Sequence, residues 1–525
     1  MDALIAIIPC LAAALVGDIN AAPREAHLEK GDRFQITLPT QVDGEEPLQG
    51  RLIIFLVEDR GRFKGEDPID APFLRKPQPI ASIALNERPQ NGILALGDDV
   101  PGTVSFPKRL DELNGSFRVR AVLDSGHARS HNAPGNLISP IGSVELVRDE
   151  AQTFELTLEK KIPEEPLLAT KNLRWIRLKS EVLSKAAGQP VFHRAGVVLP
   201  PEYDDPLASR RYWPTIYVIP GFGGDHRDAI DFALATTDPA ARNVVPRAVW
   251  VFLDPNAPLG HHGFVDSENN GPRGEALVKE FIPWLEKRFR LESRINARIV
   301  TGHSSGGYAS LWLQLQYPEI FGACFSSAPD PVSFDAFGTV NLYHDLKLQE
   351  SNDGEPRASM RRWLTPEMSH VDLFVGEELA MERAIAPDGT SGEQWDTWNA
   401  MFSPKNRVTG LPQSAWDPET GELDAFVIES GWVPHDIALL VKDDWERYGT
   451  IIENRVRLLC GTQDSFYLER AVERLKTIVD QRRSAESHGY IELIDGADHS
   501  TIVPMTRHRW FQEMQSFLDG TPPSE

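Results

Sequence analysis

The sequence is poor in basic residues and in cysteine. Its 525 residues hold 54 Lys and Arg against 77 Asp and Glu, which gives a net charge of −23 at pH 7. Such an acidic surface repels nucleic-acid phosphates and anionic lipids, so we expect neither as a partner. Two of the three cysteines, Cys324 and Cys460, lie in apolar runs that predict core strands. This favours buried free thiols over a disulfide.

Long apolar runs are also scarce. The first, Ala3–Gly17, is too short to span a bilayer comfortably and has the length of a signal peptide. Because Ala21 and Ala22 offer a cleavage site, residues 1–22 are predicted to be a signal peptide and the protein to be secreted or periplasmic. No basic residue precedes the run, which leaves a buried N-terminal helix or a misplaced start codon, and a cytoplasmic location, as alternatives. No other run predicts membrane insertion.

Two domains are expected, because 525 residues exceed one ordinary core. Residues 24–160 show short, often alternating strands between turns, and this pattern predicts a β-sandwich accessory domain. Residues 170–520 alternate helices with strands that are apolar throughout, which indicates an α/β domain with a mostly parallel sheet covered on both faces. The helices predicted there are Gly274–Phe289, Gly306–Gln316, Leu468–Gln481 and Arg507–Leu518.

The strand–helix alternation is lost between about residues 333 and 448. Six of the 12 tryptophans fall in this segment, among them Trp395 and Trp398. Irregular segments of this length in a compact domain are usually lids or binding loops. We therefore expect a long lid-like insertion in which Trp395 and Trp398 contact the substrate. Packing of the insertion by its own tryptophans explains the pattern equally well.

One G-x-S-x-G motif occurs, with Ser304 between Gly302 and Gly306. A buried strand pattern precedes it and a helix pattern follows, which is the setting of a nucleophile elbow. A serine at such a sharp turn is strained, so the residues two positions before and after it must lack bulk. The motif predicts that Ser304 is the nucleophile of a serine hydrolase with the α/β-hydrolase fold. The neighbouring His303 is interpreted as a packing residue.

A serine nucleophile needs a general base and a group that orients the base. In α/β-hydrolases the chain order is nucleophile, acid, histidine. Asp464 and His499 each follow a predicted strand downstream of Ser304, at the strand ends where α/β sheets bind ligands. We predict His499 as the base and Asp464 as the acid. Asp495 and Asp498 are rivals for the acid, but both lie too close to His499 to sit on a separate strand.

Acyl transfer also needs hydrogen-bond donors for the oxyanion. One predicted donor is the backbone N–H of Ser305, the residue after the nucleophile. The other comes from the glycine-rich loop after an early strand, where Phe222 is the first choice and Gly223 the second. This loop lacks the spacing of dinucleotide and phosphate-binding fingerprints, so no cofactor is expected.

Two further polar segments are considered as ligand sites. Asn269 and Asn270 follow another strand end and are predicted to contact substrate, although capping of the next helix is an equally natural role. The pair His261 and His262 lacks a third ligand at suitable spacing, so no metal site is predicted.

Together these segments resemble the putative esterase family, often called esterase D-like, which includes enterochelin esterases, S-formylglutathione hydrolases, feruloyl and acetylxylan esterases, and mycolyltransferases. The resemblance runs from about Trp175 to Leu518. It implies an esterase that acts through an acyl-enzyme, with Ser304, Asp464 and His499 in the triad positions. The segments that carry it are Ala195–Tyr203, Tyr217–Gly224, Gly302–Gly307 and Asp498–Ser500.

The sequence thus predicts a secreted serine carboxylesterase that acts on a small-molecule or polymer-linked ester. Acyl or feruloyl esters of polysaccharide are the expected substrate class, because aromatic side chains stack on sugars and phenolics. The unusually long spacing from Ser304 to Asp464 and the added sandwich leave the substrate open. The alternatives are a peptidase or acyltransferase with the same triad, or a non-catalytic binding protein that kept the fold.

Overall fold

The structure, a computed structural model, describes residues 33–39, 49–73, 76–125, 131–148, 150–164, 166–238, 240 and 244–521. The predicted signal peptide, residues 1–22, lies outside these residues, so export stays a prediction. Within the described residues no helix has the length and apolarity needed to cross a membrane.

Two sheets face each other in the N-terminal part of the chain, around one cluster of buried side chains that includes Phe34, Ile36, Leu52 and Ile54. In spatial order the smaller sheet contains Ile93–Gly97, Arg33–Thr37 and Thr153–Thr157. The larger sheet contains Lys160–Lys161, Leu137–Ile138, Gly115–Asp124, Gly50–Glu58, Ile80–Leu85 and Val104–Phe106, with Gly142–Leu146 paired to Gly115–Asp124. This is the predicted sandwich.

The strand Gly50–Glu58 is apolar on both faces because it packs against two partners. Successive side chains of a strand point to opposite faces. Leu52 and Ile54 point into the core between the sheets. Phe55 points the other way and belongs to a second buried cluster with Met381 of the insertion. The sandwich therefore rests directly on the insertion.

An eight-stranded sheet forms the centre of the remaining chain. Its first two strands pair antiparallel, and the other six are parallel. Their carboxyl ends therefore meet at one edge, where α/β sheets bind ligands. The sheet confirms the predicted α/β-hydrolase fold. In spatial order the strands are Leu173–Ser180, Val191–Val198, Val249–Leu253, Thr215–Ile219, Arg298–His303, Ala323–Ser327, Val456–Gly461 and Tyr490–Ile494.

Helices connect these strands close to where the apolar periodicity predicts them. The helix after Ser304 is Ser305–Gln316, one residue longer than predicted, and Glu469–Asp480 is one residue shorter at each end. The final helix begins at Ile502, before the predicted start. Within the described residues, the other α-helices outside the insertion are Glu181–Ala187, Ala229–Ala235, Arg273–Ala276, Ile282–Arg288 and Thr450–Arg455, with a π-helical turn at Leu277–Phe281.

The insertion is more regular than its sequence suggests. It contains a β-hairpin, Ala358–Thr365 and Met368–Phe374, followed by short helices. Four of its tryptophans pack against one another and against Phe337 as a buried aromatic cluster, namely Trp395, Trp398, Trp416 and Trp432. The tryptophans thus form the core of the insertion. Its α-helices are Val375–Ile385, Gln394–Phe402, Ala425–Val427 and Ile437–Asp443.

Candidate active site

Ser304 lies at the turn between the strand Arg298–His303 and the helix Ser305–Gln316. Its φ of 58° and ψ of −126° define a conformation that non-glycine residues rarely adopt. A Cβ on Gly302 would lie 2.1 Å from the carbonyl oxygen of Gly306, and a Cβ on Gly306 would lie 2.0 Å from a carbonyl oxygen of the adjacent strand. Neither position therefore has room for a side chain, so both must be glycine, as the motif predicts.

Asp464 and His499 meet beside this turn. They follow the neighbouring parallel strands Val456–Gly461 and Tyr490–Ile494, so the loops that carry them lie side by side. An oxygen of the Asp464 carboxylate is 2.8 Å from His499 Nδ1. The Asp464 side chain is fully buried, and its other oxygen accepts a hydrogen bond from the Phe466 N–H at 2.8 Å. The contact at Nδ1 leaves Nε2 as the imidazole nitrogen available to a reacting group.

His303 joins this pair to the nucleophile turn. It precedes Ser304, and its ring centre lies 4.4 Å from that of His499. Burial and the neighbouring His499 lower the pKa of His303 to about 3, so its ring is neutral at physiological pH. Its Nδ1 lies 3.1 Å from Ser327 Oγ. His303, the residue before Ser304, therefore packs against the His499 ring.

The glycine-rich loop predicted to form the oxyanion hole lies against the same turn. It follows Thr215–Ile219, the strand that pairs with the one leading to Ser304. A Cβ on Gly221 would lie 3.3 Å from the Cβ of Ser304, so the loop backbone approaches Ser304 closely. Gly223 has a φ of 87°, which glycine adopts without strain. Phe222 and Gly223 are the next two residues of this loop after Gly221.

A second carboxylate, that of Asp330, also faces Ser304. Asp330 follows the strand Ala323–Ser327, which neighbours the strand leading to Ser304, and it is only 6% exposed. Its Oδ1 lies 3.5 Å from Ser304 Oγ, and its backbone N–H donates to the Ser304 carbonyl at 3.1 Å. Sequence reasoning misses this residue. The available signal is a carboxylate just beyond the carboxyl end of a parallel strand.

The other oxygen of Asp330, Oδ2, accepts three hydrogen bonds. The donors are the Ser305 hydroxyl at 2.7 Å, Trp398 Nε1 at 3.0 Å and Gln394 Nε2 at 3.3 Å. Burial raises the pKa of Asp330, while the bonds from Ser305 and Trp398 act against that shift. The carboxylate is thus held from one side by the nucleophile helix and from the other by the insertion helix Gln394–Phe402.

The insertion also contacts the loop that carries Asp464. The Arg361 side chain is 10% exposed, donates from Nε to the Asp464 carbonyl at 3.0 Å and pairs with Glu469 at 2.7 Å. Its guanidinium lies 4.1 Å from the centre of the Tyr467 ring, and Tyr467 has the strained φ of 61°. Arg361 is 103 residues from Asp464 in sequence, so no local pattern connects the two.

Three of the four residues predicted to contact substrate hold the insertion in place. Asn269 and Asn270 donate to backbone carbonyls of the insertion at 2.8 and 3.3 Å. Trp395 is 5% exposed and its Nε1 donates to Glu378 at 2.8 Å. These contacts are structural. Trp398, the fourth, is connected to the nucleophile turn through Asp330.

The two histidines considered for a metal are buried. His261 Nε2 lies 3.0 Å from a backbone carbonyl of the oxyanion loop, and burial lowers the pKa of His262 well below its ordinary value. Among the residues that the structure describes, no group of three His, Cys, Asp or Glu side chains is placed to hold a metal ion.

A serine on a strained strand–helix turn, with a His–Asp pair at the same edge of a parallel sheet, is the arrangement typical of α/β-hydrolases. The model of one family, the putative esterases, matches residues 193–514. The chain therefore belongs to the putative esterase family, which confirms the resemblance and indicates an ester-cleaving hydrolase.

Several solved structures are similar in fold. A ferulic acid esterase is 13% identical, with a TM-score of 0.41, over 66% of this chain and 98% of its own. The CE1 ferulic acid esterase of Anaeromyces mucronatus is 13% identical, with a TM-score of 0.34, over 68% and 94%. The S-formylglutathione hydrolase of Staphylococcus aureus is 11% identical, with a TM-score of 0.34, over 66% and 100%. No curated protein sequence matches the chain.

Proposed function

We propose that the protein is a serine carboxylesterase in which Ser304 is the nucleophile, His499 the general base and Asp464 the acid that orients the base. The observation that carries this proposal is the 2.8 Å contact between Asp464 and His499 Nδ1, beside a serine on a strained turn. A base oriented in this way has a defined tautomer, with Nδ1 protonated and Nε2 free to accept a proton.

Acylation begins when Ser304 Oγ attacks the carbonyl carbon of the ester. His499 Nε2 takes the hydroxyl proton as the new Oγ–C bond forms, and the carbonyl oxygen becomes an oxyanion. The resulting imidazolium is stabilised by the buried carboxylate of Asp464. The ester C–O bond then breaks, and the alcohol leaves with the proton from His499. A water molecule, deprotonated by His499, attacks the acyl-enzyme and releases the carboxylic acid and Ser304.

The oxyanion is proposed to bind backbone N–H groups of Ser305 and of Phe222 or Gly223. The close approach of the glycine-rich loop to Ser304 supports this assignment. Ser305 is the first residue of a 12-residue helix, whose N-terminal dipole adds positive potential where the negative charge develops. Donors fixed in this way stabilise the transition state without reorganising during the reaction.

The proposed substrates include acyl and feruloyl esters of polysaccharide, with residues 24–160 as an accessory domain. Trp395 and Trp398 offer no open stacking platform for a sugar or phenolic ring, because both are less than 10% exposed. The polymer proposal therefore depends on the sandwich and needs a direct test with acetylated and feruloylated xylan.

A fluorophosphonate probe and a panel of simple esters test the proposal. We expect the wild type to be labelled and to release acid from the esters, and Ser304→Ala to lose labelling and about 10⁶-fold in kcat. Ser310→Ala is the matched control, since Ser310 is a buried serine in the same helix whose hydroxyl bonds to a backbone carbonyl. A folded wild type that is neither labelled nor active would contradict the proposal in favour of a binding protein. Cleavage of amides or acyl transfer in place of ester hydrolysis would favour the peptidase or transferase alternative.

A further inference from the structure

The two carboxylate oxygens of Asp330 have very different surroundings. Oδ2 accepts hydrogen bonds from Ser305, Trp398 and Gln394. Among the described residues, Oδ1 has a single donor, the Ser304 hydroxyl, at the long distance of 3.5 Å. A carboxylate has about four lone-pair sites on its two oxygens, and the long Ser304 contact fills at most one of those on Oδ1. The oxygen that faces the nucleophile is therefore the one with unused capacity.

The proposed reaction removes even that donor. When Ser304 attacks, its proton goes to His499 and can no longer be shared with Asp330. The Asp330 residue is 6% exposed, so solvent has little access to its carboxylate. A buried carboxylate oxygen without a donor is costly, and the cost is relieved by any bound group that donates a hydrogen bond to it.

The acyl group is the part of the substrate within reach of Oδ1. It is bonded to Ser304 Oγ throughout the acyl-enzyme stage, and Oδ1 lies 3.5 Å from that atom. The carbon next to the scissile carbonyl is two bonds from Oγ, so a substituent on it can come within ordinary hydrogen-bonding distance of Oδ1. The departing alcohol makes no such lasting approach.

Resting on the proposed esterase function, we infer that Asp330 is a specificity-determining residue whose Oδ1 binds a hydroxyl or ammonium group on the acyl carbon next to the scissile carbonyl. The preferred substrates are then esters of 2-hydroxy or 2-amino acids. A site built around a buried acceptor discriminates strongly against an analogue that lacks the donor, because binding that analogue leaves the acceptor unpaired.

Three ethyl esters of the same shape test this inference. Lactate, alaninate and isobutyrate carry a hydroxyl, an ammonium or a methyl group on the same carbon. Acid release is followed by pH-stat at about pH 6.5, where the amino group is mostly protonated. Each kcat/KM is divided by the rate constant of that ester with hydroxide, which removes differences in intrinsic reactivity. We expect lactate or alaninate to exceed isobutyrate by about 100-fold.

The relative values of kcat/KM for the three esters identify the substrate group that donates to Oδ1. If only lactate is preferred, the group that donates to Oδ1 is a neutral hydroxyl. If only alaninate is preferred, that group is a cationic ammonium. Equal values for all three esters in an active enzyme would overturn the inference and leave the esterase proposal intact. Hydrolysis of none of them, nor of any other simple ester, would overturn the esterase proposal and this inference with it.

Asp330→Asn separates selectivity from structure. The asparagine side chain has the same shape as aspartate. Its amide oxygen takes the place of Oδ2 and accepts from the same donors, so its NH₂ group takes the place of Oδ1 and faces the substrate. We expect the ratio of alaninate to isobutyrate to fall at least tenfold, whatever the change in the absolute rates. A purely structural Asp330 would lower all three rates in parallel. Asp335→Asn is the control for loss of a nearby carboxylate, since the Asp335 side chain is 41% exposed and bonds to Ser333 and Arg474. If Asp330→Asn does not fold, the ratios of kcat/KM that the wild type shows for the three esters still test whether the site prefers an acyl group with a hydrogen-bond donor.

Discussion

The edge of the parallel sheet and the insertion contribute to one site in different ways. The sheet edge supplies Ser304, Asp464 and His499, each on a loop that directly follows a strand. The insertion supplies none of these. It contacts the residues around them, through Trp398 and Gln394 on Asp330 and through Arg361 on the loop of Asp464.

We propose that this difference separates the reacting groups, at the sheet edge, from the groups that position them and select the substrate. Neighbouring parallel strands place their carboxyl ends side by side whatever the rest of the chain does, so the proposed triad follows from the sheet. The insertion reaches the same residues only through contacts that are distant in sequence. We therefore expect the largest losses of activity from substitutions at the sheet edge, and effects on selectivity, positioning and stability from substitutions in the insertion.

The largest effect is expected at the sheet edge, from Asp464→Asn. An amide in place of the buried carboxylate favours the wrong tautomer of His499 and no longer stabilises the imidazolium, so kcat should fall about 10⁴-fold. Asp495→Asn is the matched control, because Asp495 is exposed and bonds only weakly, at 3.4 Å, to Thr462. The kcat of both variants is measured by steady-state kinetics on a simple ester, and only Asp464→Asn is expected to be impaired. If Asp495→Asn were the damaging change, the acid would be misassigned.

A smaller effect is expected from the insertion side, at Arg361. Its guanidinium holds the Asp464 carbonyl and pairs with Glu469, and both partners of this ion pair are less than 15% exposed. Arg361→Gln should lower kcat about 10- to 100-fold and cost about 3 kcal/mol of stability, since it leaves Glu469 buried and unpaired. KM should change little, because Arg361 acts on the acid and not on substrate.

Arg361→Lys supplies the control for that prediction. Lysine keeps the positive charge near Glu469. Its ammonium group lacks the planar guanidinium, which bonds to the Asp464 carbonyl and to Glu469 at the same time. We expect it to restore most of the stability and only part of kcat. Equal kcat in the wild type and in Arg361→Gln would show that the insertion does not position the acid, and would limit its role to selectivity and folding.

Local patterns in the sequence predict the sheet and the placement of Ser304, Asp464 and His499 at its edge. The helix after Ser304 ends at Gln316 as predicted, and Glu469–Asp480 differs by one residue at each end. The bounds of both helices are determined by apolar periodicity and by residues close in the chain. The elbow glycines and the positions of Asp464 and His499 at strand ends follow from the same local information.

The insertion escapes prediction because its contacts are distant in sequence. Gln394 and Trp398 lie 64 and 68 residues from Asp330, and Arg361 lies 103 residues from Asp464. A tryptophan-rich segment is consistent both with a lid that contacts ligand and with a packed core. The structure buries the Trp395 ring against Trp416, which a single sequence does not reveal.

The smallest expected effect concerns stability in the insertion, at Glu378. This side chain is half-buried, and its carboxylate reaches inward to accept a hydrogen bond from Trp395 Nε1 at 2.8 Å. Burial raises the pKa of Glu378 from its ordinary 4.5 to about 7. Between these values the folded protein holds a proton that the unfolded chain has lost. The free energy of unfolding therefore falls as the pH rises from 4.5 through about 7.

Glu378→Gln removes this titration while keeping an oxygen to accept from Trp395. Relative to the wild type, the variant should gain up to about 3 kcal/mol of stability between pH 5 and pH 8, with kcat unchanged. Urea unfolding followed by tryptophan fluorescence at both pH values measures the gain, and Glu429→Gln, an exposed carboxylate of the same insertion, is the control. A gain equally large for Glu429→Gln would trace the pH dependence to the overall negative charge. A fall in kcat for Glu378→Gln would instead connect the packing of the insertion to the chemistry at the sheet edge, and the separation between the two regions would fail.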